Sequence, residues 1–343
     1  MKYFGNTLYI TTQGVLVKRD GKNLVMSVAR KDIFRIPIHA ITSVVSFGNV
    51  LWTPFALGLC GENGVATSFL TESGRFLARS IGKQRGNVLL RRAQFERSRD
   101  PQSASLAARA FISGKIANSR TVLLRARRDY RDKINVDALD DAVRTLARSV
   151  VELLKPVSVD TVRGIEGAAS RKYFSVFDSL IVSQKDSFQF VERTRRPPRD
   201  KVNALLSFVY TLLNHDVAAA CEAFGLDPQV GFLHMERSGR LSLAMDLMEE
   251  FRPYLSDRLA LSLVNRKQLS GKDFTVSESG AVLMNESARK TVLKAWQDRK
   301  SEEIVHPFLG EKTKVGLLPF LQVQLLTRWL RGDLNAYPPF IWK

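Results

Sequence analysis

The chain has 343 residues, 45% of them hydrophobic, which is the composition of a folded protein with room for two domains rather than of a disordered one. Fifty-two Lys and Arg against 34 Asp and Glu leave a formal net charge of +18 and a pI near 10.1. That balance points to a polyanionic partner, nucleic acid ahead of an anionic membrane, because no basic amphipathic helix with an aromatic face is seen.

The N-terminal stretch MKYFGNTLYITT has no apolar core of the kind a signal peptide needs. TLYITT alternates as a strand does, and two apolar runs then flank Asp20-Gly21, a pairing that predicts a type I′ hairpin turn. FRIPI and the β-branched ITSVVSFG read as further strands. Thr53 to Asn63 reads as a short helix with Thr53 as its cap and Pro54 in the first turn. ATSFLTE and RFLARSI close the small sheet. The greasiest region, Ile41 to Leu70, is broken by Asn49, Pro54 and Glu62, and no segment is expected to reach the roughly 20 apolar residues of a membrane span. Cys60 and Cys221 lie in apolar surroundings without CxxC spacing, which fits reduced, buried thiols and a cytoplasmic protein.

After Gly86 the period changes from two to that of a helix. The expected architecture is α+β: a β-rich N-terminal domain over residues 1–82, a polar hinge over residues 83–86, and a larger all-helical domain over residues 87–343. DFTVSESGAVLM is the exception, a candidate hairpin around Ser279-Gly280. The loop RTRRPPRD, Arg193 to Asp200, is expected to turn its arginines to solvent. Arg91, Arg92, Arg97, Arg99, Arg125, Arg127, Arg128 and Arg131 lie on helical stretches, where they face either a phosphate backbone or only water.

No GxxxxGK[ST], GxGxxG, HExxH, paired CxxC or GxSxG motif occurs, which disfavours P-loop ATPases, Rossmann dehydrogenases, zincins, zinc fingers and α/β-hydrolases. Two segments carry the remaining chemistry. GFLHMERSGRLSLAMDLMEEFRP holds His234 and then Asp246, Glu249 and Glu250, which read either as part of a metal site or as the exposed acidic stripe of a surface helix. TVRGIEGAASRKYF holds Glu166 between Gly164 and Gly167. Two glycines within a helix cost about 1 kcal/mol each relative to Ala, which makes sense where a neighbouring helix or a ligand approaches the backbone.

RGIEGAASRKYF, RRPPRDKVNALLSFVYTLLNHDV, GLDPQVGFLH and LSLAMDLMEEFRP, in this order, closely resemble the CRISPR-associated protein one family, the integrase subunit of spacer acquisition. The resemblance implies a β-rich dimerisation domain, a helical catalytic domain, and metal ligands at Glu166, His234 and Glu249. Asp246 is the alternative third ligand or a residue behind the ligands. Such a mixed set of carboxylates and imidazole suits Mn²⁺ or Mg²⁺. Arg163, Arg171 and Lys172 flank Glu166 and are candidate nucleic-acid contacts. The resemblance further implies a metal-dependent endonuclease and integrase that inserts short DNA fragments into a CRISPR array by 3′-OH transesterification. Its implied partners are double-stranded DNA, a second copy of the chain, and the small CRISPR-associated protein two. A metal-dependent nuclease acting on branched DNA in repair is the alternative, and a non-catalytic basic scaffold a third reading.

Overall fold

Alternation decides the first strands. In β2 (Val15–Asp20) Val15 and Val17 face inward while Leu16 between them is exposed. The computed structural model describes residues 7–72, 76–80, 82 and 88–342. The chain divides into two compact units, residues 1–86 and residues 87–343. The hinge expected over residues 83–86 lies outside the described residues.

The first unit holds two four-stranded sheets. One has the order β1-β5-β7-β8, built from β1 (Thr7–Ile10), β5 (Ser43–Phe47), β7 (Ala66–Leu70) and β8 (Phe76–Ser80). The other has the order β4-β3-β2-β6, with β3 (Asn23–Val28), β4 (Lys31–Pro37) and β6 (Val50–Trp52). Ile10, Val17, Leu24, Ile38, Val44 and Leu59 belong to the shared core of this unit. Helix α1 (Pro54–Glu62) joins that core, and Thr53 caps it by accepting from the Ala56 N–H at 3.2 Å. The β2–β3 turn is centred one residue later than expected. Asp20 pairs with Asn23, Gly21 and Lys22 form the turn, and of these only Gly21 has a positive φ, +59°. Glycine at the first turn position is the pattern of a type II′ turn, which needs a single left-handed residue where type I′ needs two.

The second unit runs through α2 (Val88–Arg99), the 29-residue α3 (Pro101–Asp129), α4 (Val136–Leu153), α5 (Val159–Ser175) and α6 (Lys201–Ala223). It continues with α7 (Ser242–Met248), a π-helical turn (Arg252–Asp257), α8 (Arg258–Asn265), α9 (Glu286–Ser301) and α10 (Leu318–Leu330). It is mainly, not wholly, helical. The hairpin anticipated around Gly280 forms from β9 (Phe274–Val276) and β10 (Val282–Met284), and a second one forms from β11 (Glu303–Val305) and β12 (Lys312–Lys314). Strands of three residues carry too little periodicity to separate from helix in the sequence.

Helix α6 corrects the expectation about apolar length. It is long and apolar enough to cross a membrane, with a mean hydropathy of 1.3, yet 72% of that window is buried in the protein. It is the central core helix, carrying Leu205, Leu206, Val209, Leu212 and Leu213 inward. Arg193, expected in solvent, is half-buried: it donates to Asn203 Oδ1 at 2.6 Å and stacks 5.2 Å from the Tyr210 ring.

A buried knot ties α5, α6 and the π-helical turn. Tyr173 and Tyr210 donate to the two carboxylate oxygens of Asp257 at 3.1 and 2.7 Å. Burial pushes the Asp257 carboxyl up to about 6, against the pull of the two tyrosines and of Arg193 and Arg252. A folded pKa above the unfolded value means stability that is complete below about pH 4 and is lost as pH rises through 6, by roughly 2–3 kcal/mol. Asp257→Asn should lack this loss. Urea unfolding of both proteins at pH 4.5 and pH 7.5 checks it: the gap between them should shift with pH in favour of the variant at the higher value, and a constant gap would count against it.

Candidate active site

Four elements of the helical unit converge on one buried centre. Asp246 of α7 organises it, and the reason is local. The turn over residues 231–234 wraps its backbone round the Asp246 carboxylate. Oδ2 accepts from the N–H groups of Phe232 and Leu233 at 2.6 and 2.9 Å, and Oδ1 accepts from the N–H of His234 at 2.9 Å. Gly231 is required for that approach, because a Cβ there would come within 2.8 Å of Asp246 Oδ2 and 2.9 Å of Ser242.

The His234 ring closes the arrangement with Nδ1 2.6 Å from Asp246 Oδ1. A neutral ring with its proton on Nδ1 leaves the Nε2 lone pair free. Nε2 stands 4.0 Å from Glu249 Oε1. Glu166, on α5, stands on the other side. The ammonium of Lys115 from α3 joins the two glutamates, 2.5 Å from Glu166 Oε1 and 2.7 Å from Glu249 Oε2. Arg252 adds a second cation 2.8 Å from Glu249 Oε1, and Ser170 donates to Glu166 Oε1 at 2.8 Å.

The electrostatics follow from these contacts. Burial works to raise the Glu249 carboxyl, but Arg252, Lys115 and His234 together bring it down to about 2. Glu166 also lies below its ordinary value: burial and the Glu249 charge push it up, and Lys115 and Ser170 outweigh them. Both glutamates are therefore carboxylates at neutral pH.

The structure thus brings Glu166, His234 and Glu249 together. Asp246 has no lone pair left facing Glu166 and Glu249, so it orients His234, and Glu249 faces the centre. The exposed acidic stripe is not what forms. Asp246, Glu249 and Glu250 are 0, 2 and 0% exposed. Glu250 points away from the centre, where Tyr337, the Phe340 N–H and Gln322 surround it. Burial raises its carboxyl to about 7 despite those donors.

Of the candidate phosphate contacts, Arg163 donates to the Leu233 carbonyl at 2.8 Å and pairs with Asp160, and Lys172 pairs with Asp141 at 2.5 Å. Arg171 is exposed and has no ion pair among the described residues. No neighbouring helix explains the α5 glycines. A Cβ at Gly164 would meet nothing within 4 Å, and one at Gly167 would meet only the end of Arg171 at 3.6 Å. Among the arginines of these helices, Arg97 stacks 4.6 Å from the Trp329 ring and Arg127 pairs with Asp140.

Lys115, Arg252 and Ser170 are the site residues that the sequence reading missed. Arg252 and Ser170 follow Glu249 and Glu166 at helical spacing. Lys115 was also visible, as a lone lysine inside the apolar run FISGKIAN.

The donors suit a hard divalent cation: two carboxylates and a correctly oriented imidazole. Among the described residues no three of them are gathered closely enough to grip an ion, and the Lys115 ammonium stands between the two glutamates. Lysine here fills the role of the counter-charge that a metal would supply.

Carboxylates and an imidazole that suit a hard cation, beside lysine and arginine that favour an anionic substrate, are the side-chain types that a nuclease centre uses, here on an α+β scaffold. The profile of the family described as CRISPR associated protein Cas1 matches residues 8–298, and the chain belongs to that family. A CRISPR-associated endonuclease Cas1 of Chlorobaculum tepidum is 50% identical over 343 residues, all of both chains. Among solved structures, TM1797, a CAS1 protein from Thermotoga maritima, superposes with a TM-score of 0.81 at 25% identity, covering 95% of this chain and 97% of that one. A casposase bound to integration product superposes with a TM-score of 0.84 at 21% identity over 98% and 94% of the two chains, a likeness of fold.

Glu250 and Asp246 should prove structural in a way that Glu166 and Glu249 are not. Glu250→Ala strips acceptors from Tyr337 and the Phe340 amide, and Asp246→Ala strips them from three backbone amides. Each should lose about 3 kcal/mol of stability. Chemical denaturation checks this, and near-native midpoints for both would restore the surface-stripe reading.

Proposed function

We propose that the protein is the metal-dependent DNA integrase of CRISPR adaptation, which joins short DNA fragments to a CRISPR repeat by transesterification. The observation that carries this is the facing of Glu166, Glu249 and His234 Nε2, with His234 held from behind by Asp246. These three residues would hold Mn²⁺ or Mg²⁺. When bound, the ion supplies Lewis-acid polarisation of a phosphodiester and lowers the pKa of the attacking hydroxyl.

The remaining chemistry belongs to the chain. Asp246 keeps the proton on His234 Nδ1 and so keeps Nε2 available. Lys115 and Arg252 balance the two carboxylates, so the centre does not repel a phosphate. The open faces of Gly164 and Gly167 leave room for a strand beside Glu166. In the reaction the oxygen of a DNA 3′-OH bonds to phosphorus and the 3′-oxygen of the cut strand leaves. One phosphodiester replaces another, and no nucleotide hydrolysis is required, in keeping with the absent P-loop motif. With water in place of the 3′-OH, the same centre hydrolyses DNA, which is the activity a repair nuclease would show on branched substrates.

The proposed partners are double-stranded DNA, a second copy of the chain, and the small CRISPR-associated protein two, all in the cytoplasm. The first unit exposes Ile33, Phe34, Leu51 and Phe55, apolar surface that suits a contact between copies. Light scattering at micromolar concentration should give a dimer mass, and a monomer would refute this contact.

A half-site integration assay tests the reading. Glu166→Ala, His234→Ala and Glu249→Ala should each reduce strand transfer to background while DNA affinity survives, since Lys and Arg contacts dominate binding. Lys115→Met removes the ammonium that competes with the ion and should tighten Mn²⁺ binding by calorimetry about tenfold. Strand transfer by Glu166→Ala or His234→Ala in Mn²⁺ would sink the proposal, and cleavage without joining in the wild type would favour the repair nuclease.

A further inference from the structure

The two cations beside Glu249 are held in different ways. Lys115 ends in a compact charge on a flexible stem, and that charge is shared between two glutamates. Arg252 opens the π-helical turn and is 7% exposed. Its Nη1 stands 2.8 Å from Glu249 Oε1. Its guanidinium carbon stands over the Tyr210 ring of α6, 5.0 Å from the centroid. Glu249 Oε1 is also the oxygen nearest His234 Nε2, at 4.0 Å. The place of the Arg252 guanidinium thus sets the direction in which this carboxylate is turned.

The ring is itself fixed. Tyr210 donates through its hydroxyl to Asp257 Oδ1 at 2.7 Å, and Asp257 closes the same π-helical turn that Arg252 opens. One aromatic side chain therefore meets both ends of the turn, the carboxylate with its hydroxyl and the guanidinium with its ring. Arg193 stands 5.2 Å from the same centroid and donates to Asn203 of α6 at 2.6 Å. The other Asp257 oxygen accepts from Tyr173 at 3.1 Å, further along the helix that carries Glu166. π-Helical turns are rare and occur often at functional sites.

An ion pair alone leaves arginine several rotamers through which to reach one carboxylate. A stacked face adds a second restraint on the planar group, and the two together select one position. The attraction between a guanidinium and a ring is also stronger where both are withdrawn from water.

We propose that Tyr210 is a positioning residue of the centre: its ring holds Arg252 on Glu249 Oε1 and so keeps that carboxylate turned toward His234 Nε2. This rests on the reading of Glu166, His234 and Glu249 as the residues that hold a divalent ion. Tyr210 acts through Arg252 and not on the ion or the DNA. What it supplies is order set in advance of binding.

Calorimetric titration with Mn²⁺ and half-site integration kinetics test this. Tyr210→Leu should bind Mn²⁺ about tenfold more weakly and lose about tenfold in the rate at saturating DNA, with the half-saturating DNA concentration unchanged. Tyr210→Phe keeps the ring and should retain both. Replacing that phenylalanine by its pentafluoro analogue keeps the shape but withdraws the negative ring face, and should reproduce most of the Tyr210→Leu loss even if Tyr210→Leu melts early. In an Arg252→Lys background, Tyr210→Leu should add nothing further, because the stacked partner is gone. Tyr173→Phe, which strips a hydroxyl from the same Asp257 carboxylate, should lower the melting temperature and leave Mn²⁺ binding and rate as in the wild type. Wild-type Mn²⁺ binding and rate in the folded Leu and pentafluoro proteins overturn the assignment. So does a Tyr210→Leu loss that recurs in full beside Arg252→Lys, or an equal loss in Tyr173→Phe, since the ring then acts by packing alone. A wild type that takes up no Mn²⁺ would instead defeat the reading of the three residues as ion-holding, and the role of Tyr210 with it.

Discussion

The Lys115 ammonium lies between Glu166 and Glu249, and the buried centre of the second unit is arranged around that bridge. Two carboxylates drawn into a protein interior repel each other and each resists ionisation, so they stay charged only if a cation is held between them. Lysine does this from the middle of α3, the longest helix, which also contacts α4, α5 and the π-helical turn. The same bridge therefore joins three segments of sequence and fixes the spacing of the groups that would receive a metal. Glu166 and Glu249 would hold a divalent ion whose charge could replace the balance that lysine supplies, and Arg252 stands beside Glu249 as a second counter-charge.

Around the bridge, neighbouring residues of one acidic run have been given different tasks by burial. Asp246 faces the turn over residues 231–234 and sets the histidine. Glu249 faces Lys115 and Arg252 and is held ionised near 2. Glu250 faces the C-terminal tail and is raised to about 7. Two adjacent glutamates thus differ by several units, because one is surrounded by cations and the other by a phenol, an amide and a backbone N–H. Gly114 belongs to the same design, since a Cβ there would come within 3.0 Å of the Glu250 Cβ and 3.3 Å of the Phe340 carbonyl. The residue next to Lys115 must be small for the tail to pass.

The change of period near Gly86 was legible, and so were the caps at Thr53 and the hairpin at Gly280, because each is a local rule of backbone geometry. The β2–β3 turn was misplaced by one residue, since Asp20-Gly21 and Gly21-Lys22 both put glycine where a positive φ is wanted. The candidate ligands came from a resemblance; helical spacing alone left Asp246, Glu249 and Glu250 interchangeable and exposed. What separates them is which distant segment each one faces, and the tail that buries Glu250 begins more than eighty residues away. Lys115 escaped for the same reason: its partners lie 51 and 134 residues along the chain, the latter being 249 − 115, so no window of sequence contains them.

The C-terminal tail links these observations. Phe340 donates its amide to Glu250, Asn118 of α3 donates to the Phe340 carbonyl at 2.9 Å, and the Trp342 amide donates back to Asn118. The tail thus lies along α3 as an extra strand of contacts between Lys115 and Arg125. Asn118 is fully buried and has both ends of its amide occupied, which makes it the register mark of that docking. Because the same tail seats Glu250 beside the centre and carries Trp342 against Arg125, one short run of backbone couples the surroundings of Lys115 to the far end of α3.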